Sequence, residues 1–309
     1  MNVHFPKGAK MLMKKLLFLF LSLLIISPVS YISADSNEDE AINEKFGLPI
    51  VVYGESLSTE QQNKVRQALN ITDPNAVREI TVTPKDLVYY IDGDPHSNLY
   101  SSAKITRKEK GEGLTIVMTT PENITEVTSD MYKNALLTAG IEDALVEVTS
   151  PLKVTGHSAL VGIYKAYDAE GAGLNKDHTE VANEELELAT ELAKKEGLSE
   201  EAVSELLADI KRQMAEQSPK TKEEIIQIVD EQLAAQGVTL SESDRQLLVD
   251  LFDKMRDLNI NFDNVKDQLD ELSQAIQDKI SEAIGDRSFL ESVAAFFQQL
   301  FEDIRNIFK

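Results

Sequence analysis

The five residues GHSAL, Gly156 to Leu160, come closest in this sequence to a catalytic motif. They are one residue short of the G-x-S-x-G turn on which many lipases and esterases carry a nucleophilic serine, because Leu160 stands where the second glycine belongs. Such hydrolases place an acid and then a histidine after the serine, and only His178 follows Ser158. We therefore interpret Gly156 as a tight turn and Ser158 as part of the first turn of a helix, with His157 facing solvent.

Two acidic loops carry oxygen ligands at alternating positions, as calcium sites do. The first spans residues 92–103 and the second spans 257–268, and both lack the central glycine and the final glutamate of an EF-hand. We predict that both are turns and that Asn261 or Asp263 caps the helix that follows the second. Because cysteine is absent, histidines are sparse and no glycine-rich phosphate loop follows a strand, we predict no catalytic residue, metal ligand or cofactor.

The first 34 residues have the parts of a secretory signal peptide. They contain four lysines and no acid, and an apolar run of 11 residues from Leu16 to Ile26 precedes small residues that end at Ala34. We predict a signal peptide over 1–34 with cleavage between Ala34 and Asp35, because the apolar run is short for a bilayer span. The alternative is an uncleaved anchor, and Met11 or Met13 is an alternative start to Met1.

The chain is strongly acidic, with a net charge of −22 over 309 residues. Loss of the four lysines of the predicted signal leaves 27 basic against 53 acidic residues, a net charge of −26. Such a chain repels phosphate backbones and anionic lipids, which argues against nucleic acid as a partner. An exported chain without cysteine has no disulfides, so packing alone must stabilise it.

Residues 46–168 are predicted to form an α+β or α/β domain in which helices cover a mixed sheet. Short β-branched runs between turn residues indicate the strands. The strand-like segments are 48–54, 78–83, 143–150 and 103–120, the last predicted as a hairpin that turns at Gly111 to Gly113. An acidic leader over 35–45 precedes this domain.

Capping signals indicate where the helices of this domain begin. Over 57–69, Ser58 and Gln61 have the spacing of a capping box, in which each side chain accepts from the other residue's backbone. Over 120–140, Thr120 can cap a helix that has proline at its first position. The resulting order β-α-β-α-β-β-α-β-α is typical of an α/β fold.

The strand signal ends near residue 169. Residues 169–177 are rich in glycine and acids and are predicted to be a linker, and 178–309 are predicted to be all helical. Thr221 and Glu224 have the spacing of a further capping box. A row of apolar residues at helical spacing predicts the core of a helical bundle. The row is Leu247, Leu248, Leu251, Phe252, Met255 and Leu258.

The segment 288–309 predicts an amphipathic helix that begins with a capping box at Ser288 and Glu291. Its apolar stripe contains five of the eleven phenylalanines, so it must be buried against something. Docking on the chain's own bundle is favoured, with a partner helix or a membrane interface as alternatives. Because its polar face is not rich in lysine or arginine, we favour protein over lipid.

Several stretches resemble a known family. They are GEGLTIVMTT (111–120), PENITEVTSDMYKNALLTAGIEDALVEVTSPLKVTGHSALVGIYKAY (121–167), GESLSTEQQNKV (54–65) and LNINFDNVKDQL (258–269). Together they resemble the YpuA-like secreted proteins of Gram-positive bacteria, the domain of unknown function 1002 family. The resemblance implies export, an α/β N-terminal part and a helical C-terminal part. It implies no catalytic residue or cofactor.

These observations predict a secreted or extracellular protein that is a binding or structural protein at the cell envelope, with an unknown protein or envelope ligand as its partner. The alternative is an atypical secreted hydrolase with its site on the α/β domain. We predict no transmembrane helix in the mature chain.

Overall fold

The structure is a computed structural model that describes residues 47–171, 173–195 and 198–284. Three of the predicted segments lie outside the described residues. They are the signal peptide (1–34) with its cleavage point, the acidic leader (35–45) and the amphipathic helix 288–309.

The described residues contain one mixed sheet of five strands in the order β2-β1-β3-β5-β4. β3 runs antiparallel to its neighbours β1 and β5, whereas the outer pairs β1–β2 and β4–β5 are parallel. This arrangement confirms the predicted mixed sheet. The strands are β1 (Ile50–Gly54), β2 (Arg78–Val82), β3 (Ser102–Arg107), β4 (Leu114–Met118) and β5 (Ala144–Thr149).

The hairpin predicted over 103–120 is wrong, because β5 lies between β3 and β4. Asp143, just before β5, accepts hydrogen bonds from the amides of Gly111 (2.9 Å) and Gly113 (2.8 Å). The connecting turn is thereby held against the start of β5. β5, which is buried or partly buried along its whole length, takes the inner position, and β4, which exposes alternate residues such as Val117, takes the edge.

Nine α-helices lie among the described residues, and they confirm the helical C-terminal region. The capping boxes predicted at Ser58 with Gln61 and at Thr221 with Glu224 are both present. The helices are α1 (Thr59–Ala68), α2 (Pro84–Ile91), α3 (Ser129–Thr138), α4 (His157–Ala169), α5 (Lys176–Lys195), α6 (Glu200–Gln217), α7 (Lys222–Ala235), α8 (Glu242–Asp257) and α9 (Lys266–Ile284).

The helix predicted with its cap at Thr120 begins eight residues later, with Thr128 as its cap and Ser129 as its first residue. Thr120 precedes only a short 3-10 turn, because its hydroxyl accepts from the amide of Ser150 (2.9 Å) instead of capping its own helix. The following residues run extended, and the amide of Thr125 donates to the carbonyl of Val154. Contacts with the chain after β5 therefore delay the start of α3.

The sheet and the C-terminal helices share one hydrophobic core. Val52, Ile105 and Val146 on one face of the sheet belong to the same buried cluster as Leu160 of α4 and Leu207 of α6. The other face of β1 packs against α1 in a smaller cluster. The predicted boundary at the linker 169–177 stays a prediction, and this stretch joins α4 to α5.

α9 reaches back to the edge of the sheet through one side chain. Gln268 accepts a hydrogen bond from the amide of Leu114 (2.7 Å) and donates one to the carbonyl of Glu142 (2.9 Å). A glutamine near the end of the described chain thus binds the first residue of β4 and the residue two places before β5. No helix within the described ranges is both long and apolar enough to cross a membrane.

Candidate functional site

The turn before α4 places the GHSAL residues at the end of the sheet that is formed by the C-terminal ends of four of its five strands. Gly156 has a φ of 111°, and a Cβ there would lie 2.8 Å from both Ile124 Cγ2 and the Tyr132 hydroxyl oxygen. That hydroxyl donates to the carbonyl of Gly156 at 2.6 Å. The backbone conformation and the close packing both require glycine. The interpretation of Gly156 as a tight turn and of Ser158 as a first-turn helical residue is confirmed.

Ser158 contacts another serine and not a base. Its Oγ lies 2.6 Å from Oγ of Ser101, which precedes β3 and is 1% exposed. His157 and Ser158 are adjacent in a helix, where neighbouring side chains point in different directions. A nucleophilic serine needs a base within hydrogen-bond reach. The observed contact is therefore a hydroxyl pair that ties the first turn of α4 to the residue before β3.

His157 is half-buried, so the expectation that it faces solvent is wrong. Burial lowers the pKa of His157, and the charges of Glu187 and Glu126 oppose that shift only in part. A neutral imidazole is thereby favoured at this position. Glu187 of α5 lies near enough for its charge to act on His157, a proximity that the local sequence does not indicate.

Other polar groups at this end of the sheet form hydrogen bonds with one another. Asn123 donates from its side chain to the carbonyl of Ser150 (2.7 Å), and Thr120 joins the same residue through its hydroxyl. Ligands of open α/β sheets usually bind at the carboxyl ends of the strands. Here these groups hold together the segments that leave β4 and β5.

Substitution of Ser158 by alanine is expected to lower the free energy of unfolding by only about 1 kcal/mol, because one neutral hydrogen bond is lost. Urea denaturation measures this change, with Ser101→Ala as the matched variant. A fluorophosphonate probe is expected to label neither the wild type nor the variant. Labelling of the wild type that disappears in Ser158→Ala would establish a nucleophile and contradict our interpretation.

The two acidic loops form turns, as predicted. Asp94 accepts from the amide of His96 (2.8 Å), and Asn261 accepts from the amide of Asp263 (2.8 Å) at the start of a 3-10 turn. Gln268, at the last ligand position of the second loop, binds the sheet instead. Within the part of the chain that the structure describes, no three histidine, aspartate or glutamate side chains form a group suited to a metal ion.

A cleft of about 480 Å³ lies between the end of α6 and the loop 257–263. Its walls are mainly polar, and the charge of Arg256 is matched by Asp253 (2.8 Å) and Asp257 (2.6 Å). The cleft thus offers neither an open apolar floor nor an excess of one charge to a partner.

An ion pair lies in the middle of the helical core. Nζ of Lys211 on α6 is 2.6 Å from Oε1 of Glu185 on α5, and the two residues are 0% and 1% exposed. Lys211 also donates to the carbonyl of Asn134 (2.9 Å), and the Thr138 hydroxyl donates to Glu185 Oε2 (2.5 Å). Burial lowers the pKa of Lys211, against the opposing effect of Glu185. Because the pair is closed to solvent, its role is to join α3, α5 and α6.

Our sequence reasoning missed this pair, although the sequence contains a signal for it. Lys211 lies four residues after Leu207 and three before Met214, so it occupies the apolar face of its own helix. A lysine on the apolar face of a helix either extends its charged end to solvent or is buried and paired with an acid.

A surface groove between α5 and α8 has an apolar floor and an acidic rim. Each helix contributes four residues at the spacing i, i+3, i+4 and i+7, which places them in one row on its surface. The lining residues are Glu184, Glu187, Leu188 and Glu191 of α5, and Leu247, Asp250, Leu251 and Lys254 of α8.

Leu247 is the most open part of the floor, with 46% of its surface exposed, whereas Leu188 and Leu251 are 9% and 5% exposed. The assignment of Leu247 to the core of the bundle is therefore wrong. The apolar face of α8 is wider than its contact with the neighbouring helices, so one row of its apolar residues remains exposed to solvent. The other five residues of the predicted row are buried or partly buried.

Comparison with known proteins gives the family. The model of the family described as "Protein of unknown function (DUF1002)" matches residues 53–272, from β1 into α9. The chain belongs to the DUF1002 family. It is also 36% identical over 270 residues to the uncharacterized protein YpuA of Bacillus subtilis (strain 168), which covers 85% of this chain and 90% of the relative. No solved structure matches. The expected family is confirmed, and the description of the DUF1002 family assigns no activity to its members.

Proposed function

We propose that this DUF1002 protein is exported by a Gram-positive bacterium and binds another protein at the cell envelope through the groove between α5 and α8. Export is supported by the signal-like segment before Ala34, with its basic start and short apolar run. The mature protein then acts as a secreted or extracellular binding protein.

The observation that carries the proposal is the exposed side chain of Leu247 in the apolar floor of the groove. Leu247 is exposed at 46% beside two leucines that form the bottom of the same groove. Apolar surface in water has a free-energy cost of roughly 25 cal/mol per Å², which a partner that covers it removes. Isolated exposed leucines are common, but Leu247 lies in a groove with two further leucines and a polar rim, the arrangement that marks interaction sites.

The test places a photoreactive amino acid at position 247 of the full-length chain in living cells. We expect light to join the exported protein to one envelope protein, because the partner's apolar side chains lie over this position. Mass spectrometry of the crosslinked product identifies the partner. It also identifies the first residue of the mature chain, which we expect to be Asp35.

The matched control places the same amino acid at Val117 on β4, which is exposed to a similar extent at 42%. Crosslinks from both positions alike would indicate random encounters and overturn the proposed binding surface. A protein that stays in the cytoplasm would overturn the proposed location.

A further inference from the structure

We infer that the groove between α5 and α8 binds an amphipathic helix of a partner protein whose polar flanks carry lysine or arginine. This inference rests on the proposed function and adds the chemistry of the partner.

The shape of the groove favours a helix. Leu188, Leu247 and Leu251 form a floor between two helices, in a groove of about 320 Å³ that has room for a few aliphatic side chains and not for a folded domain. Helices commonly bind such grooves through apolar residues at i, i+3, i+4 and i+7. An added helix would pack on α5 and α8 as a third member of the bundle.

The charge of the groove favours a basic helix. Four carboxylates and one ammonium group line it, and the ammonium group of Lys254 lies at 2.5 Å from Glu184. Lys222, outside the lining, contacts Asp250 at 2.7 Å. Glu187 is exposed and accepts a hydrogen bond from the neutral amide of Asn183 (2.9 Å). With Lys222 counted, the groove still has four carboxylates against two ammonium groups, so its net negative charge attracts lysine or arginine side chains beside the apolar face of a bound helix.

The same charges argue against the other occupants. Two copies of a chain with a net charge of −22 repel each other, and anionic lipids are repelled likewise. The chain's own segment 288–309 has three acids and two bases, so it brings no excess of positive charge to the acidic rim. The apolar floor favours the apolar face of a helix, and the acidic rim favours basic side chains beside that face.

Binding of a synthetic helix to the secreted full-length protein tests the inference. The probe is a fluorescent peptide with leucines at i, i+3, i+4 and i+7 and lysines beside them, and fluorescence anisotropy measures its Kd. We expect the Leu247→Ser variant to bind about tenfold more weakly and Glu187→Lys about fivefold more weakly. An increase in salt from about 50 to about 300 mM should also weaken binding.

Two variants and two peptides serve as controls. Val117→Ser removes a similarly exposed apolar side chain from the sheet, and Glu55→Lys reverses an exposed charge after β1, and both should leave Kd unchanged. A peptide with glutamates in place of lysines, and one with the leucines scattered around the helix, should bind much more weakly. Equal binding of either peptide, no binding of the basic peptide, or an unchanged Kd in Leu247→Ser would overturn the inference.

Failure of the inference and failure of the proposed function give different results. Crosslinks at position 247 in cells without binding of the basic peptide would overturn the basic helix and leave the docking surface standing. Peptide binding to the groove without crosslinks in cells would overturn the proposed function and leave the chemistry of the groove standing.

Discussion

Replacement of Lys211 by methionine is expected to lower the free energy of unfolding by about 3–5 kcal/mol, the usual cost of leaving a buried charge without its partner. Methionine fills a similar volume but leaves the carboxylate of Glu185 in the core at 1% exposure. The carbonyl of Asn134 loses a donor at the same time. Urea or guanidinium denaturation followed by circular dichroism measures the change.

The double variant Lys211→Met with Glu185→Leu separates the charge from the packing. Because neither charge is then buried, we expect it to recover most of the lost stability, as replaced buried ion pairs often do. A double variant as unstable as Lys211→Met alone would contradict this account and indicate that packing dominates. Near-equal stability of the single variant and the wild type would contradict it as well.

Replacement of Gly54 by alanine is expected to destabilise the protein by about 3 kcal/mol or more, at the upper end of the range for overpacking. A Cβ at the end of β1 would lie 2.2 Å from the carbonyl oxygen of Leu99 and 2.5 Å from its carbon. That oxygen accepts from the amide of Ser56 at 3.0 Å, so the backbone on both sides must move. Thermal and chemical denaturation measure the loss.

Gly93 provides the matched control. Its φ, like that of Gly54, lies outside the left-handed region, and an added Cβ would meet side-chain atoms of Leu87 and Ile91 at 3.3 Å. Because this contact is too tight by only a few tenths of an ångström and involves no backbone atom, we expect Gly93→Ala to cost about 1 kcal/mol, clearly less than Gly54→Ala. Equal effects of the two substitutions would show that the contact with Leu99 is not the cause.

Local signals predicted much of the fold. The capping boxes at Ser58 and Thr221 depend on residues three positions away, and short β-branched runs between turns predicted the succession of strands and helices along the chain. Two of the errors, the hairpin and the start of α3, concern contacts between distant parts of the chain. The place of β5 between β3 and β4 and the bond from Thr120 to Ser150 both depend on residues about thirty positions later.

The candidate sites were harder to predict for the same reason. The serine pair at α4 joins residues 57 positions apart, and the buried ion pair joins residues 26 positions apart. Each row of the groove is visible in its own helix, but the periodicity of Leu247 does not tell which apolar residues face another helix and which face water. Only the packing of α5 against α8 decides this.

The bond from Gln268 to the amide of Leu114 also bears on the order of events during synthesis. The two residues are 154 positions apart, and a ribosome makes β4 long before α9. Until α9 is made, the amide of Leu114 in the edge strand β4 lacks its acceptor Gln268. Edge strands with unpaired amides pair readily with strands of other chains. Between the synthesis of β4 and that of α9, this edge therefore offers a wrong partner one amide that the finished fold covers.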